Sequence, residues 1–256
     1  MSQDMFENRP AVLRRSGQSM LEMAMFLPIL LLLIAGMVEV GAYANDYLTL
    51  LNAGREGARF GVDLDPSLTV KSPFDARDGA SDPFPDVRSL TSAQLYDVCA
   101  NGKTVNFYYE IACLTFQNIP SGTLKPENGD DIVVTVIGVQ DGQIAHRWPI
   151  SSQAHQDDWG YHFPGADDGA VNASCTITHT ENCRGWSLYG ERTSTIDNDT
   201  ITDRLDSSDP DTGLVIVEIF YAHPHFVGVF AIGDFIPDPI QTHTYAIFPL
   251  SAATPK

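Results

Sequence analysis

The sequence predicts an α+β protein: a long N-terminal transmembrane helix whose outer half packs on an antiparallel sheet of about four strands, with a long loop-rich insertion. Three observations carry this. An uncharged run of 16 residues, Met23 to Val38, lies between Glu22 and Glu39. Small and apolar residues then recur at helical spacing as far as Gly61. Beyond that helix the β-branched and aromatic residues gather in short runs, separated by a Trp-, His- and Asp-rich stretch with few apolar runs.

The helix is expected over residues 18–61. At 1.5 Å per residue it would reach roughly 65 Å, about twice the hydrocarbon core of a bilayer. A span needs roughly 17–25 apolar residues. The run from Glu22 meets this if Glu39 sits at the far headgroup level, with uncharged character resuming from Val40 to Asn45. Arg9, Arg14 and Arg15 precede the span, which predicts a cytoplasmic N-terminus and an external body. Pro28 removes one backbone hydrogen bond within the span and bends or opens it locally. Past the membrane, Tyr43, Tyr47, Leu50, Leu51, Gly54 and Ala58 form an apolar stripe. Gly54, Gly57, Ala58 and Gly61 are small enough to let another backbone come close.

Residues 62–90 are rich in Pro, Asp and Ser and read as a loop. Thr91 or Ser92 can cap a short helix that ends near Cys99, with Asn101-Gly102 as its stop. Val105–Phe116 and Asp131–Val139 read as two strands of an antiparallel hairpin, with the turn signal Asn128-Gly129 between them. Leu214–Tyr221 and Tyr245–Leu250 complete the sheet. Residues 140–212 hold Trp148, Trp159, Trp186 and four of the seven histidines, and read as an insertion that protrudes without a regular core. Phe226 to Ile232 is apolar but too short to span a membrane.

The order of features around residue 17 is informative. Arg14-Arg15-Ser16-Gly17-Gln18 precedes Glu22, and the apolar run follows. A secretory signal has its cleavage site after the apolar region, not before it. An acid at the mouth of a span is costly without a partner. Cutting between Gly17 and Gln18 creates a cationic amine on Gln18 that can serve as one. This arrangement resembles the processing site of type IV prepilins. Downstream, Leu27-Pro28-Ile29-Leu30, Met37-Val38-Glu39-Val40-Gly41 and Ala53-Gly54-Arg55-Glu56-Gly57-Ala58-Arg59 are similar to the N-terminal signature of TadE-like pseudopilins. The resemblance covers about residues 14–61 and departs at Val40, where the family usually has an aromatic, and at Gly54, where alanine is usual.

The resemblance implies three parts: a prepilin-type leader over 1–17, the helix over 18–61, and an extracytoplasmic domain over 62–256 that contains the insertion. It implies a minor structural subunit of a tight-adherence pilus assembly or secretion machine in a bacterial cytoplasmic membrane. The partners implied are a prepilin peptidase, other pilin-like subunits, a membrane platform with its assembly ATPase, and the lipid bilayer. Glu22 then resembles the glutamate that meets a neighbouring subunit's N-terminal amine.

Composition bounds the alternatives. The 256 residues carry a net charge of −18, and removing the leader leaves 12 basic against 31 acidic residues. Such a surface repels nucleic acid, so no nucleic-acid partner is expected. About 190 residues follow the helix, enough for one core. Cys99 pairs with Cys113 and Cys175 with Cys183 if each bridge closes a short local loop on an oxidising side of the membrane. The absence of Cys-x-x-Cys argues against structural zinc.

No catalytic residue, cofactor or metal is expected. The chain has no His-Glu-x-x-His, no Gly-x-Ser-x-Gly and no phosphate-cradling loop. His223-Pro224-His225 offers two imidazoles, read as structural. Asp197, Asp199, Asp203, Asp206, Asp209 and Asp211 offer oxygens without the spacing of a calcium loop, and read as solvated acids. Asn172 and Asn198 fit glycosylation sequons of little specificity. Two rivals remain: an enzyme anchored by the helix, or a ligand-binding or adhesin module, each using residues 140–212.

Overall fold

The computed structural model describes residues 16–62, 90–101, 107–148, 155–156, 161–162, 175–178, 183, 185–205, 211–225 and 239–250. Helix α1 runs unbroken over Ser16–Gly61, with Pro28 inside it. Its two halves have opposite surroundings. From Met20 to Ile34 every side chain is exposed, and from Leu50 the residues Leu50, Ala53, Gly54, Gly57, Ala58 and Gly61 are buried. Those six recur at intervals of three and four, which places them on one stripe of the helix. Of the stripe expected from sequence, Tyr47 stays exposed and Leu51 half-buried.

The stripe lies against a seven-stranded antiparallel sheet. Strand β1 (Asp131–Gln140) is followed by β2 (Gln143–Trp148), the short β3 (His155–Gln156), β4 (Tyr161–His162) and β5 (Trp186–Ser187), then β6 (Thr212–His223) and β7 (Ile240–Leu250). The order is β3-β4-β5-β1-β6-β7, with β2 also pairing β1. Centrally, Thr135 pairs with Ile216 and Ile216 with Ile247.

Burial of β1 and β6 on both faces explains why they read as continuous apolar runs. Ile132, Val134, Val136, Val215, Val217, Ile219 and Ala246 join α1 and helix α3 (Phe107–Gln117) in the main core. Residues of opposite parity, Ile137, Val139 and Ile216, pack with Ile144, Ile196 and Ile201 in a second core on the far face. Two of α1's glycines key it into this assembly. A Cβ on Gly57 would overlap Thr115 Oγ1 and come within 3.3 Å of Ile111 O, and one on Gly61 would lie 2.5 Å from Ile111 Cδ1.

The expected strand Val105–Phe116 is corrected by the structure. Residues Phe107–Gln117 form helix α3, so no hairpin joins them to β1. A run such as Phe-Tyr-Tyr-x-Ile favours a strand only when one face is to be buried. Here Phe107, Tyr108, Tyr109, Ile111, Ala112, Cys113, Thr115 and Phe116 are all buried. The segment is wedged between α1, β1 and helix α2 (Ser92–Asn101). A helix buried nearly all round has lost the amphipathic period that would mark it as one. Helix α2 (Ser92–Asn101) precedes it. Thr91 is its cap: Gln94 N donates to Thr91 Oγ1 at 3.3 Å and Thr91 N donates to Gln94 Oε1 at 2.9 Å, a reciprocal capping box.

The described part of residues 140–212 is not a separate lobe, contrary to the expectation that the stretch stands outside any regular core. Asp141-Gly142 makes a two-residue turn with positive φ at both positions (51° and 70°), the geometry that folds β2 back on β1. Trp186 on β5 is fully buried and stacks on Tyr108 of α3 at 6.3 Å. Trp159, residues 62–90 apart from Val62 and Leu90, and the Phe226–Ile232 run lie outside the described residues.

Candidate functional site

Gly17 and Gln18 lie in the first turn of α1, and Glu22 occupies an exposed position one turn further on. Met20, Leu27 and Leu33 are 76 %, 51 % and 58 % exposed. A soluble protein seldom leaves so continuous an apolar surface bare. Among the described residues α1 is the one helix long and apolar enough to cross a membrane. Its exposure sets it apart from the core helix of a soluble protein, which passes the same test of length only when buried.

The cysteines are joined in two bridges, remote from Gly17 and Glu22. Cys99 on α2 is bonded to Cys113 on α3, and Cys175 to Cys183. The first ties the two short helices together. The second closes a loop just ahead of β5.

Three buried carboxylates organise the loops around the sheet. Glu218, on the far face of β6, is fully buried. Its Oε1 accepts from Thr195 N (2.9 Å), Thr195 Oγ1 (2.7 Å) and His243 Nε2 (3.1 Å), and its Oε2 from Ser194 Oγ (2.5 Å). Burial pushes this carboxyl upward, but the donors from His243, Ser194 and Thr195 outweigh burial and hold it below the usual range. Ser194 Oγ also accepts from Arg147 Nη2 at 2.8 Å, so a buried arginine and a buried glutamate share one hydroxyl.

Asp131 opens β1 and is equally buried. It accepts from Tyr189 N, Glu191 N and Arg192 N at 2.8–3.0 Å and from Ser187 Oγ at 2.5 Å. Here burial wins, and the carboxyl is raised to about 6 against those four donors. Asp130 beside it accepts from Lys125 N and Ala222 N, with burial again raising it. These acids pin residues 187–195 and the turn before β1. Asp130 and Asp131 do so mainly through backbone N–H donors and Glu218 mainly through side-chain donors.

A fourth cluster joins α1 to the end of β6. His223 is 3 % exposed, and its Nδ1 lies 3.0 Å from Asp46 Oδ2. Its Nε2 is 3.9 Å from Glu39 Oε1, the same oxygen that lies 3.1 Å from His225 Nδ1. Tyr43 meets the His223 ring edge-on at 5.4 Å. Sequence reasoning placed Glu39 and the His223-Pro224-His225 pair separately and missed that the fold joins them. His223 is the last residue of β6 and His225 lies two residues beyond it, against Glu39 and Asp46 of α1.

The remaining acids divide. Asp197 caps the short helix α4 (Asn198–Thr202) by accepting from Thr200 N. Asp211 accepts from Asp141 N at 2.9 Å. Asp206 and Asp209 lie outside the described residues. Among the described residues no three His, Cys, Asp or Glu side chains are placed to hold a metal ion.

With the exposed and the docked halves of α1 in view, the comparison that decides its nature is direct: residues 17–59 match the model of the family described as TadE-like protein. The N-terminal segment is TadE-like. The TadE-like stretch covers both halves of α1, from its first turn to the glycine stripe on the sheet. The match links this segment to Tad pilus systems. No curated protein and no solved structure matches the chain.

Proposed function

We propose that this protein is a minor pseudopilin-like structural subunit of a tight-adherence pilus assembly or secretion system, processed by a prepilin peptidase. One observation carries the reading. Gly17 and Glu22 stand in the first two turns of α1, ahead of its exposed apolar stretch, and the same unbroken helix is keyed by Gly57 and Gly61 to the folded domain. Anchor and domain are thus one body, as a subunit inserted by its helix requires.

In this reading residues 1–17 are the leader, residues 18–61 the membrane and connecting helix, and residues 62–256 the extracytoplasmic domain. The arginines of the leader hold the N-terminus in the cytoplasm of a bacterium, and the helix crosses the cytoplasmic membrane once. Cleavage between Gly17 and Gln18 gives Gln18 a cationic amine. Glu22, at the edge of the apolar run, then pairs with the amine of a neighbouring pilin-like subunit, an attraction strengthened by low dielectric. A membrane platform and its ATPase would act on this helix. In this reading the chain performs no catalysis.

The test is the mature N-terminus of protein from native membranes, read by mass spectrometry. The expected first residue is Gln18. Gly17→Leu is expected to leave the chain full-length, because a bulky side chain at that position blocks the scissile bond from the protease. Processing of that variant at the wild-type level refutes the proposal.

A further inference from the structure

The cluster at the junction of α1 and β6 has a chemistry that neither the fold nor the pilus reading uses. Glu39 and Asp46 stand seven residues apart on the helix, so they lie two turns apart on one face. His223 sits against that face. Its Nδ1 is within hydrogen-bond distance of Asp46 Oδ2, while its Nε2 is buried and without a hydrogen-bond partner. A neutral ring that donates from Nδ1 to Asp46 turns a lone pair at Nε2 toward the Glu39 carboxylate, 3.9 Å away. That contact is repulsive. A second proton on the ring places an N–H there instead and makes it attractive. His225 Nδ1 shares the same Glu39 oxygen. Glu39 is 20 % exposed although its neighbours Met37, Val38 and Val40 are exposed, so the cluster is where the folded domain first covers α1.

We propose that His223 and His225, with Glu39 and Asp46, form a proton-operated latch that fastens the sheet to α1 at the level where the helix leaves the bilayer. Doubly protonated imidazoles close the latch, and their loss of a proton loosens it, so acidification tightens the domain against its membrane helix. Charge-assisted hydrogen bonds to carboxylates are about twice as strong as neutral ones. The other groups that face the imidazoles are compatible. From α1 Tyr43 packs edge-on to His223. From β6 Tyr221 lies 3.4 Å by its hydroxyl from Asp46 Oδ2. On the β1 side Asp130 accepts from Ala222 N. Opposite on β7 stand the uncharged Ile240 and Gln241, the latter bonded to Arg192. The inference does not depend on the pilus reading, since it concerns contacts within one chain.

The experiment is hydrogen–deuterium exchange of the full chain in phosphatidylcholine nanodiscs at about pH 5.5 and about pH 8, corrected for intrinsic rates. Wild type is expected to show roughly tenfold greater protection at the acid pH over residues 220–225 and 39–47. His223→Gln and Glu39→Gln are each expected to remove most of that difference. The milder His225→Gln, at a position 16 % exposed, is expected to halve it and guards against a misfolded His223 variant. His243→Gln, on the opposite face of the sheet, is expected to keep it. Protection independent of pH in wild type overturns the proposal, as does a full pH effect in both His223→Gln and His225→Gln. Loss of protection on adding EDTA also overturns it, because a metal ion would then be the fastener.

Discussion

Replacing Glu218 by alanine tests whether the far face of the sheet is held by one buried charge. The carboxylate accepts four hydrogen bonds from Ser194, Thr195 and His243. Each bond to a charged group contributes about 1.5–3 kcal/mol, and each donor left unsatisfied in the interior costs about 1–3 kcal/mol. Removing the carboxylate also relieves its desolvation, several kcal/mol, which offsets much of that total. It further leaves Arg147, buried and joined to Glu218 through Ser194 Oγ, without its bridged anion. Loss of one partner of a buried ionic arrangement typically costs about 3–5 kcal/mol, and we expect Glu218→Ala to fall near 3–4 kcal/mol. Glu218→Gln keeps an oxygen for Thr195 and His243 and should cost about 1–2 kcal/mol. The measurement is urea unfolding of the disulfide-intact full chain in detergent, followed by tryptophan fluorescence, since Trp186 lies in the adjoining core. The sign with pH is fixed. The folded carboxyl lies below its ordinary value, so its contribution is present above the ordinary glutamate range and is lost as pH falls through the folded value. Glu218→Gln should therefore lose less stability than wild type on acidification. A cost below about 0.5 kcal/mol for Glu218→Ala, the range of ordinary surface changes, would refute the reasoning.

Asp131 and the glycines of α1 give further outcomes. Asp131, raised by burial to about 6, works with the opposite sign: its contribution is greatest below the ordinary aspartate value near 3.8 and is lost as pH rises through about 6. The stability gap between wild type and Asp131→Asn, measured by urea unfolding across that window, should widen in favour of wild type as pH falls. On α1, Gly57→Ala should destabilise by about 1–3 kcal/mol, the cost of overpacking, because the new methyl overlaps Thr115 Oγ1 and crowds Ile111 O. The same change at Gly36 or Gly41, where a Cβ meets nothing within 4 Å, should be neutral in thermal unfolding.

The helix and three of the four expected strands were legible because each has an unambiguous local signal. Glu22 to Glu39 is too long and apolar for anything but a helix, and β1, β6 and β7 are rich in β-branched and aromatic residues bounded by turn residues. α3 was not legible, since Phe107–Phe116 owes its helix to α1, α2 and β1 around it and not to its own propensities. β2 was hidden for another reason. His146, Arg147 and Trp148 look polar and irregular, yet Arg147 is fully buried because Asn198, Ser194 and Ile196 O supply its partners. The Asp141-Gly142 turn was the readable clue to that hairpin. The junction cluster depends on which face β6 turns toward α1, information that lies in the parity of His223 with Val217 and Ile219 and becomes usable only once the sheet is known.

The unbroken course of α1 makes the domain's heading a readout of how its helix is seated among neighbours. A helix gripped by side-chain ridges can slide past another only in steps that restore the ridges, about three, four or seven residues. At about 100° and 1.5 Å per residue, a four-residue step moves the chain about 6 Å and leaves it turned by about 40°, and a three-residue step moves it about 4.5 Å and turns it about 60° the other way. Gly57 and Gly61 are keyed to Thr115 and Ile111 of α3, and α1 also packs on β6 and β7, so the domain is fastened to the helix. The domain must swing by the same angle, so each permitted seating of the helix presents a different side of the domain to whatever stands beside it.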